Sequence, residues 1–214
     1  MKKAVVLLSG GLDSSTVLYF AKRKGYSCSC LIFDYGQRHR KEIRSAVRIA
    51  RLAKCPYKVV KINLPWRAGS LLDKNLKVPS RSLPASHFIL PSTYVPGRNT
   101  IFISFALSFA EAISAGTLFI GANAVDYSGY PDCRPGYYKA WNKVLAELGT
   151  GVQIQTPLIR KTKAEIAKMG VKLGVPLALT WSCYKGGEEP CGVCDSCRFR
   201  AKGFSDANLS DPAV

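Results

Sequence analysis

Acidic side chains are the scarce class in this sequence. Its 214 residues hold 14 Asp and Glu against 31 Lys and Arg, a formal net charge of +17. Such an excess points to an anionic partner, either a nucleic acid or small anions such as nucleotides, and does not choose between them. No secretory leader is expected at the start of this sequence. The apolar run at residues 4–8 gives way to Ser9-Gly10-Gly11, short of the roughly 7–15 residues of a signal h-region. No internal repeat is present. Residues 100–125 carry one charge, Glu111, and are long enough to cross a bilayer. Gly116 and a change of pattern divide them instead into a buried helix and a buried strand. The expectation is a cytoplasmic protein without a membrane span, in which eight cysteines serve metal binding or reactivity rather than disulfides. Hydrophobic content of 47% and charged content of 21% exclude a disordered or collagen-like chain. The length suits one compact domain with at most a small appendage.

The pattern along the chain predicts an open α/β sheet. Strands are expected at residues 4–8, 28–33, 58–63, 117–121 and 152–156, and helices at 14–24, 40–54, 99–115, 137–148 and 161–173. Strands alternating with helices of this length imply parallel pairing with both faces covered. Residues 64–98 break the rhythm with five prolines, and a loop this long in a compact domain is usually functional. Residues 1–175 read as the nucleotide-binding α/β domain and 176–214 as a C-terminal zinc-binding segment packed on it. Ligands of open α/β sheets lie beyond the carboxyl ends of the strands.

Ser9-Gly10-Gly11-Leu12-Asp13-Ser14-Ser15 falls between the first strand and its helix. Glycines let the backbone approach a ligand closely, the helix start offers unpaired N–H groups and a positive dipole end, and the serines add hydroxyls. The loop can therefore hold a phosphate or pyrophosphate, with Asp13 serving a bound Mg²⁺; a bland turn with Asp13 as a cap is the alternative. It lacks the Lys of a GxxxxGK[ST] loop, which argues against an ordinary ATPase or GTPase. SGGLDSS resembles the pyrophosphate loop of the PP-loop ATP pyrophosphatases, which cleave ATP between the α and β phosphates and transfer AMP to a substrate oxygen. The resemblance implies a Rossmann-like adenine-nucleotide hydrolase fold. It also implies an ATP site running from Leu7 and Leu8 through Ser9, Gly10, Gly11, Leu12, Asp13, Ser14 and Ser15 into Thr16 and Val17. The family's loop often reads SGGQDS, so no side-chain role is carried over to Leu12.

Cys183, Cys191, Cys194 and Cys197 are spaced C-x7-C-x2-C-x2-C. Four thiolates complete a tetrahedral Zn²⁺ shell with no open position, which makes the metal structural. Incidental cysteines, an iron–sulfur cluster and a sulfur-carrying thiol remain as other readings. Cys28, Cys30, Cys55 and Cys133 lack partner spacing and read as small buried residues.

Six segments in order, SGGLDSS, FDYGQRH (33–39), LPSTYVPGRN (90–99), GANAVDYSGYPDCRP (121–135), TPLIRKTKAEI (156–166) and the WSCY…CGVCDSC ending, together resemble the 7-cyano-7-deazaguanine synthase family. That resemblance implies ATP-driven conversion of 7-carboxy-7-deazaguanine and ammonia to the nitrile, in a homodimer with one structural zinc per chain. On the same footing Asp34, at the end of the second strand, meets the adenosine unless it is a capping residue. Arg98 clamps the α-phosphate or the substrate carboxylate unless it is a surface ion pair. Asp126, Tyr127, Ser128, Tyr130 and Asp132 offer a stacking surface and an acidic acceptor for the deazaguanine ring, with lid packing as the alternative. Lys161 opens the helix after Pro157, where a cation runs against the helix dipole unless an anion is near, so it is the expected phosphate ligand; Lys163 reads as solvated. Asp13, Arg98 and Lys161 are thus the expected catalytic set. Arg40, Arg44, Arg48 and Arg51 form a basic helix face that is either solvated or attracts tRNA. A tRNA-thiolating enzyme using Cys133 is the competing reading, and a zinc-stabilised binding module a weaker one.

Overall fold

A computed structural model describes residues 1–38, 40–66, 68–73, 75–80, 90–125 and 130–213. Its sheet has five parallel strands, β1 (Lys3–Leu7), β2 (Ser27–Asp34), β3 (Tyr57–Lys61), β4 (Thr117–Phe119) and β5 (Gln153–Gln155), in the order β3-β2-β1-β4-β5. The chain winds outward from β1 to β3 and then crosses back to β4, so the switch point lies between β1 and β4. A crevice opens there at the carboxyl edge.

Alternation along β1 explains the two layers. Ala4, Val6 and Leu8 face one side with α1 (Leu12–Arg23), α2 (Lys41–Leu52), α5 (Lys163–Leu173) and α6 (Asp195–Asp206). Val5 faces the other, where Ile103, Ala106 and Ala110 of α3 (Arg98–Ala112) and Tyr138 and Leu145 of α4 (Pro135–Glu147) close the second core. Residues 100–125 do divide into a helix and a strand, and no helix among the described residues is long and apolar enough to cross a membrane. The helix is not buried throughout, since Phe105 is 46% exposed. Asn142 of α4 substitutes for a sheet neighbour at β5: it donates to Ile154 O (3.1 Å) and accepts from Ile154 N (2.8 Å).

Two boundaries depart from the sequence pattern in ways that matter for function. Helix α5 starts at Lys163 rather than at residue 161, because Thr162 caps it. Thr162 Oγ1 accepts from Glu165 N and Glu165 Oε2 accepts from Thr162 N, a reciprocal box that satisfies two otherwise orphaned donors. Helix α6, absent from the pattern, buries Cys197, Arg200, Gly203 and Phe204. That spacing is helical, but a cysteine, an arginine and a glycine hide it from a hydrophobicity reading. Arg200 is 6% exposed and forms a two-pronged pair with Asp211 at 2.6 and 2.8 Å, with a further bond to Thr180 Oγ1.

Candidate active site

The crevice is a cavity of about 770 Å³, in the upper part of the range that takes small molecules. Its near wall is the loop after β1. Gly10 has φ +82°, and a Cβ there would stand 2.4 Å from Glu42 O and 2.6 Å from Ala46 N of α2. Only glycine lets the loop lie this close to that helix. Ser9 N donates to Ser14 Oγ (3.1 Å), and the two hydroxyls are 2.9 Å apart. Gly11 is the N-cap of α1 and supplies no side-chain cap, which leaves first-turn N–H groups available to an anion. Gly121, at the exit of β4, would bring a Cβ to 2.8 Å from Ser14 N, so its missing side chain keeps this end open.

Within the expected ATP stretch, the structure separates cavity-lining residues from core residues. Leu7, Leu8, Ser9, Gly11, Leu12, Asp13 and Ser14 line the cavity. Ser15 and Thr16 are fully buried and return their hydroxyls to Gly11 O (2.7 Å) and Leu12 O (2.8 Å), and Val17 packs in the core. Leu12 also belongs to the core cluster at 3% exposure, which explains how an apolar side chain is tolerated in the loop.

Asp13 Oδ2 accepts from Lys163 Nζ at 2.5 Å, while its Oδ1 is buried with no partner. Lys163, expected to be solvated, therefore lines the cavity. Lys161 does not: it precedes the cap and pairs with Glu165 at 3.4 Å. The T-K-A-E box was the sequence signal that would have placed Lys163 in the first turn and Lys161 outside it.

The far wall is assembled from distant segments. Arg98 opens α3 behind Gly97, an N-cap in the left-handed region at φ +65°. Its guanidinium lies 5.9 Å from the Tyr35 and Phe102 ring centroids, reaches Tyr35 OH and Asn99 Oδ1 only at 3.5 and 3.4 Å, and keeps a buried Nε without a partner. No carboxylate pairs with it among the described residues, so its fork is available to a ligand anion. Tyr130 lines the same wall and bonds Thr93 at 2.6 Å. Asp132 is 6% exposed and stands behind the lining, and burial raises its carboxyl pKa against the opposing pull of Arg98. Asp126, Tyr127 and Ser128 fall outside the described residues. Burial pushes the Tyr35 hydroxyl up to about 12 and raises those of Tyr130, Tyr138 and Tyr184; all four stay protonated as donors near neutral pH. Cys133, expected as a buried filler, lines the cavity and accepts from Asn99 at 3.8 Å. Asp34 does not line it; its carboxylate pairs with Arg40 at 3.7 Å.

The four spaced cysteines come together. Their Sγ atoms lie within 4.8 Å of one another, and Cys191 N and Cys194 N donate to Cys183 Sγ and Cys191 Sγ at 3.4 Å each. Zn–S bonds of about 2.3 Å place tetrahedral sulfurs roughly 3.8 Å apart, so this group can hold a metal ion such as zinc after a small contraction. Three of the four are buried, and a four-thiolate shell has no open position for a reacting ligand. The cluster serves the cavity through the chain leading into it: Trp181 N donates to Gly10 O at 2.9 Å, and Tyr184 joins the far wall.

Comparison with known proteins accords with this geometry. A match to the family described as queuosine biosynthesis protein QueC runs over residues 3–208. The 7-cyano-7-deazaguanine synthase of Thermoplasma volcanium is 52% identical over 217 residues, covering 99% of this chain and 90% of that one. The synthase of Nostoc sp. is 52% identical over 220 residues, covering 98% and 96%. Two solved structures share the fold. A predicted subunit of tRNA methyltransferase from Methanocaldococcus jannaschii has a TM-score of 0.53 at 15% identity, covering 100% of this chain and 92% of that one. NMN synthetase from Francisella tularensis has a TM-score of 0.52 at 13% identity, covering 98% and 78%. Half identical to synthases over nearly its whole length, and matched across the doubly wound sheet and the cysteine cluster alike, the chain belongs to the queuosine biosynthesis protein QueC family.

Proposed function

We propose that the chain is a 7-cyano-7-deazaguanine synthase that joins 7-carboxy-7-deazaguanine and ammonia at the expense of ATP. The observation that carries this is a single cavity with an uncapped helix start and glycine loop on one side and a buried, unpaired arginine among tyrosines on the other. A carboxylate resists attack because oxide is a poor leaving group. Transfer of AMP to one oxygen releases pyrophosphate to the loop and gives the acid a good leaving group. Ammonia displaces AMP and leaves an amide. A second adenylation, on the amide oxygen, lets that oxygen depart with AMP as the nitrogen loses its protons and the nitrile closes. Each carboxyl oxygen thus leaves on one AMP.

In this scheme Ser9, Gly11 and Ser14 hold the outer phosphates and Arg98 holds the substrate carboxylate or the α-phosphate. Tyr130 lies along the deazaguanine ring with Asp132 behind that wall, and Asp126, Tyr127 and Ser128 keep the ring-binding role that the family resemblance implies. Asp34 is kept as the adenosine contact only if its pair with Arg40 opens. Mg²⁺ bound with ATP would neutralise phosphate charge, and the orphaned Asp13 Oδ1 is the donor that fits it. Lys163, freed from Asp13, takes the phosphate role expected of Lys161. A homodimer is part of the proposal, supported by the exposed apolar side chains Phe105 on α3, Val144 on α4 and Leu148 just after it.

Zinc-replete protein incubated with ATP, Mg²⁺, ammonium and 7-carboxy-7-deazaguanine should release AMP and yield the nitrile by mass. Release of orthophosphate without AMP would overturn the scheme. The tRNA-thiolation reading is not favoured: Cys133 does line the cavity, but the relatives matched from end to end carry the synthase name. Sulfur transfer to tRNA by this protein would reverse that ranking.

A further inference from the structure

Among the described residues three acidic side chains line the cavity: Asp13, Glu42 and Asp195. Asp13 is tied to Lys163, and Asp195 is engaged at the start of α6. Glu42 is different. It stands in the first turn of α2, its backbone carbonyl packed against Gly10. Its Oε1 accepts from Gln37 Nε2 at 2.9 Å, and no cation pairs with it among the described residues. Gln37 is itself locked: 6% exposed, it accepts from Tyr35 N at 2.8 Å and donates to Phe33 O at 3.1 Å. A neutral amide therefore fixes the carboxyl in place without neutralising it.

The reading of the protein as a synthase, on which this inference rests, leaves one requirement unmet. At neutral pH ammonium is almost wholly protonated and has no lone pair with which to attack. We propose that Glu42 seats the incoming ammonium ion and accepts the proton it must lose, with Gln37 as its positioning residue.

Three features support this. The cavity otherwise presents cations, including Lys163, Arg98, Arg198 and Lys202, and these suit a triphosphate and a carboxylate. With Asp13 tied to Lys163 and assigned to the metal that accompanies ATP, Glu42 is a lining carboxyl without a cationic partner among the described residues, suited to draw in a small cation. Second, Glu42 packs against the glycine loop, feels the charge of Arg98, and lines the same cavity as both, so it borders the phosphate end and the substrate end of the proposed site. Third, burial pushes its carboxyl up to about 7, with Gln37 and Arg98 pulling the other way. A base with affinity near the working pH transfers protons best. The groups facing it are Arg98 from α3 and Tyr35 after β2, while Lys41, its neighbour on α2, lies over the Trp181 ring at 4.0 Å. The balance is simple. Ammonium gives one proton to the Glu42 carboxylate, ammonia forms the new C–N bond as the C–O bond to AMP breaks, and the surplus proton on nitrogen and that on Glu42 pass to solvent.

Glu42→Gln keeps the shape and an acceptor for Gln37 but cannot take a proton. The acid-dependent exchange of pyrophosphate into ATP reports adenylation without ammonia. For the variant it should stay within about threefold of wild type, while kcat/KM for ammonium at pH 7 falls about 10²–10³-fold. The defect should narrow as pH rises and free ammonia becomes abundant, and hydroxylamine, a nucleophile largely neutral at that pH, should restore trapping of the adenylate. Glu42→Asp should recover part of the loss. Unchanged ammonium dependence in Glu42→Gln overturns this inference alone, as does an equal loss of exchange and of hydroxylamine trapping, which would mark a structural or nucleotide role. Absence of acid-dependent exchange in the wild type would instead overturn the synthase reading, and the inference with it.

Discussion

The two walls of the cavity are built in opposite ways. The near wall comes from one stretch, residues 7–14, whose glycines and hydroxyls are arranged by a strand, a tight loop and a helix start. The far wall comes from Tyr35, Arg98, Tyr130, Cys133, Tyr138 and Tyr184, which span most of the chain. A contiguous wall survives as long as its strand–loop–helix unit does, whereas an assembled wall depends on every segment that holds its parts in register. On the proposed reading, the near wall serves the ATP chemistry and the far wall distinguishes the substrate.

The comparison breaks most severely at the cysteine cluster. Cys194 is fully buried and caps α6, and the segment between Trp181 and Tyr184 connects it to both walls. Cys194→Ser should cost zinc and folded protein together, since a structural zinc site supplies folding energy directly. Metal analysis and thermal unfolding check this; full zinc stoichiometry in the variant would remove Cys194 from the ligand set.

Next in size is the near wall. Asp13→Asn should leave the fold intact and lower kcat about 10²–10³-fold, the usual cost of removing one group preorganised for developing charge. Full activity would exclude a role for Asp13 with Mg²⁺. The far wall should answer differently. Arg98→Ala should raise KM for the acid by one to two orders of magnitude, with lysine restoring charge but not the fork. Equal losses in acid-free ATP binding for both variants would erase the distinction between the walls. A finer test separates the two lysines of one segment. Lys163→Ala should lower kcat about 10-fold or more, whereas Lys161→Ala should change it less than twofold, because its pair with Glu165 is exposed and weak.

The same division explains what could be read from the chain. The sheet, its helices and the near wall follow from period and local motif: SGGLDSS marks a loop that lines the cavity, and the C-x7-C-x2-C-x2-C spacing marks cysteines that come together. Helix α6 escaped because burial there falls on Cys197, Arg200 and Gly203 as well as Phe204, so no apolar period announces it. Lys163 and Lys161 exchanged places because their roles turn on one cap residue, Thr162. Glu42 was invisible for a different reason. It reads as an ordinary acid in the first turn of a helix, and only packing against Gly10 and capture by Gln37 set it apart.

The smallest expected effect concerns this seam between the walls. Burial raises the Glu42 carboxyl from its ordinary 4.5 to about 7, so between those values the native protein holds a proton that the unfolded chain has released. Stability from this group is therefore full below about pH 4.5 and is lost as the pH rises toward and through 7. Glu42→Gln has no proton to release and escapes that loss. Its Tm relative to wild type should rise between pH 5 and pH 8 by roughly 2–4 °C, the shift that about 1 kcal/mol produces in a chain of this size. Activity should not follow stability: the variant gains Tm relative to wild type across this range while its ammonium-dependent rate stays below wild type. A Tm difference that stays flat across the range would mean that the carboxyl titrates normally, in contact with water, and that the two walls meet at a wetter joint than the packing around Gly10 and Gln37 implies.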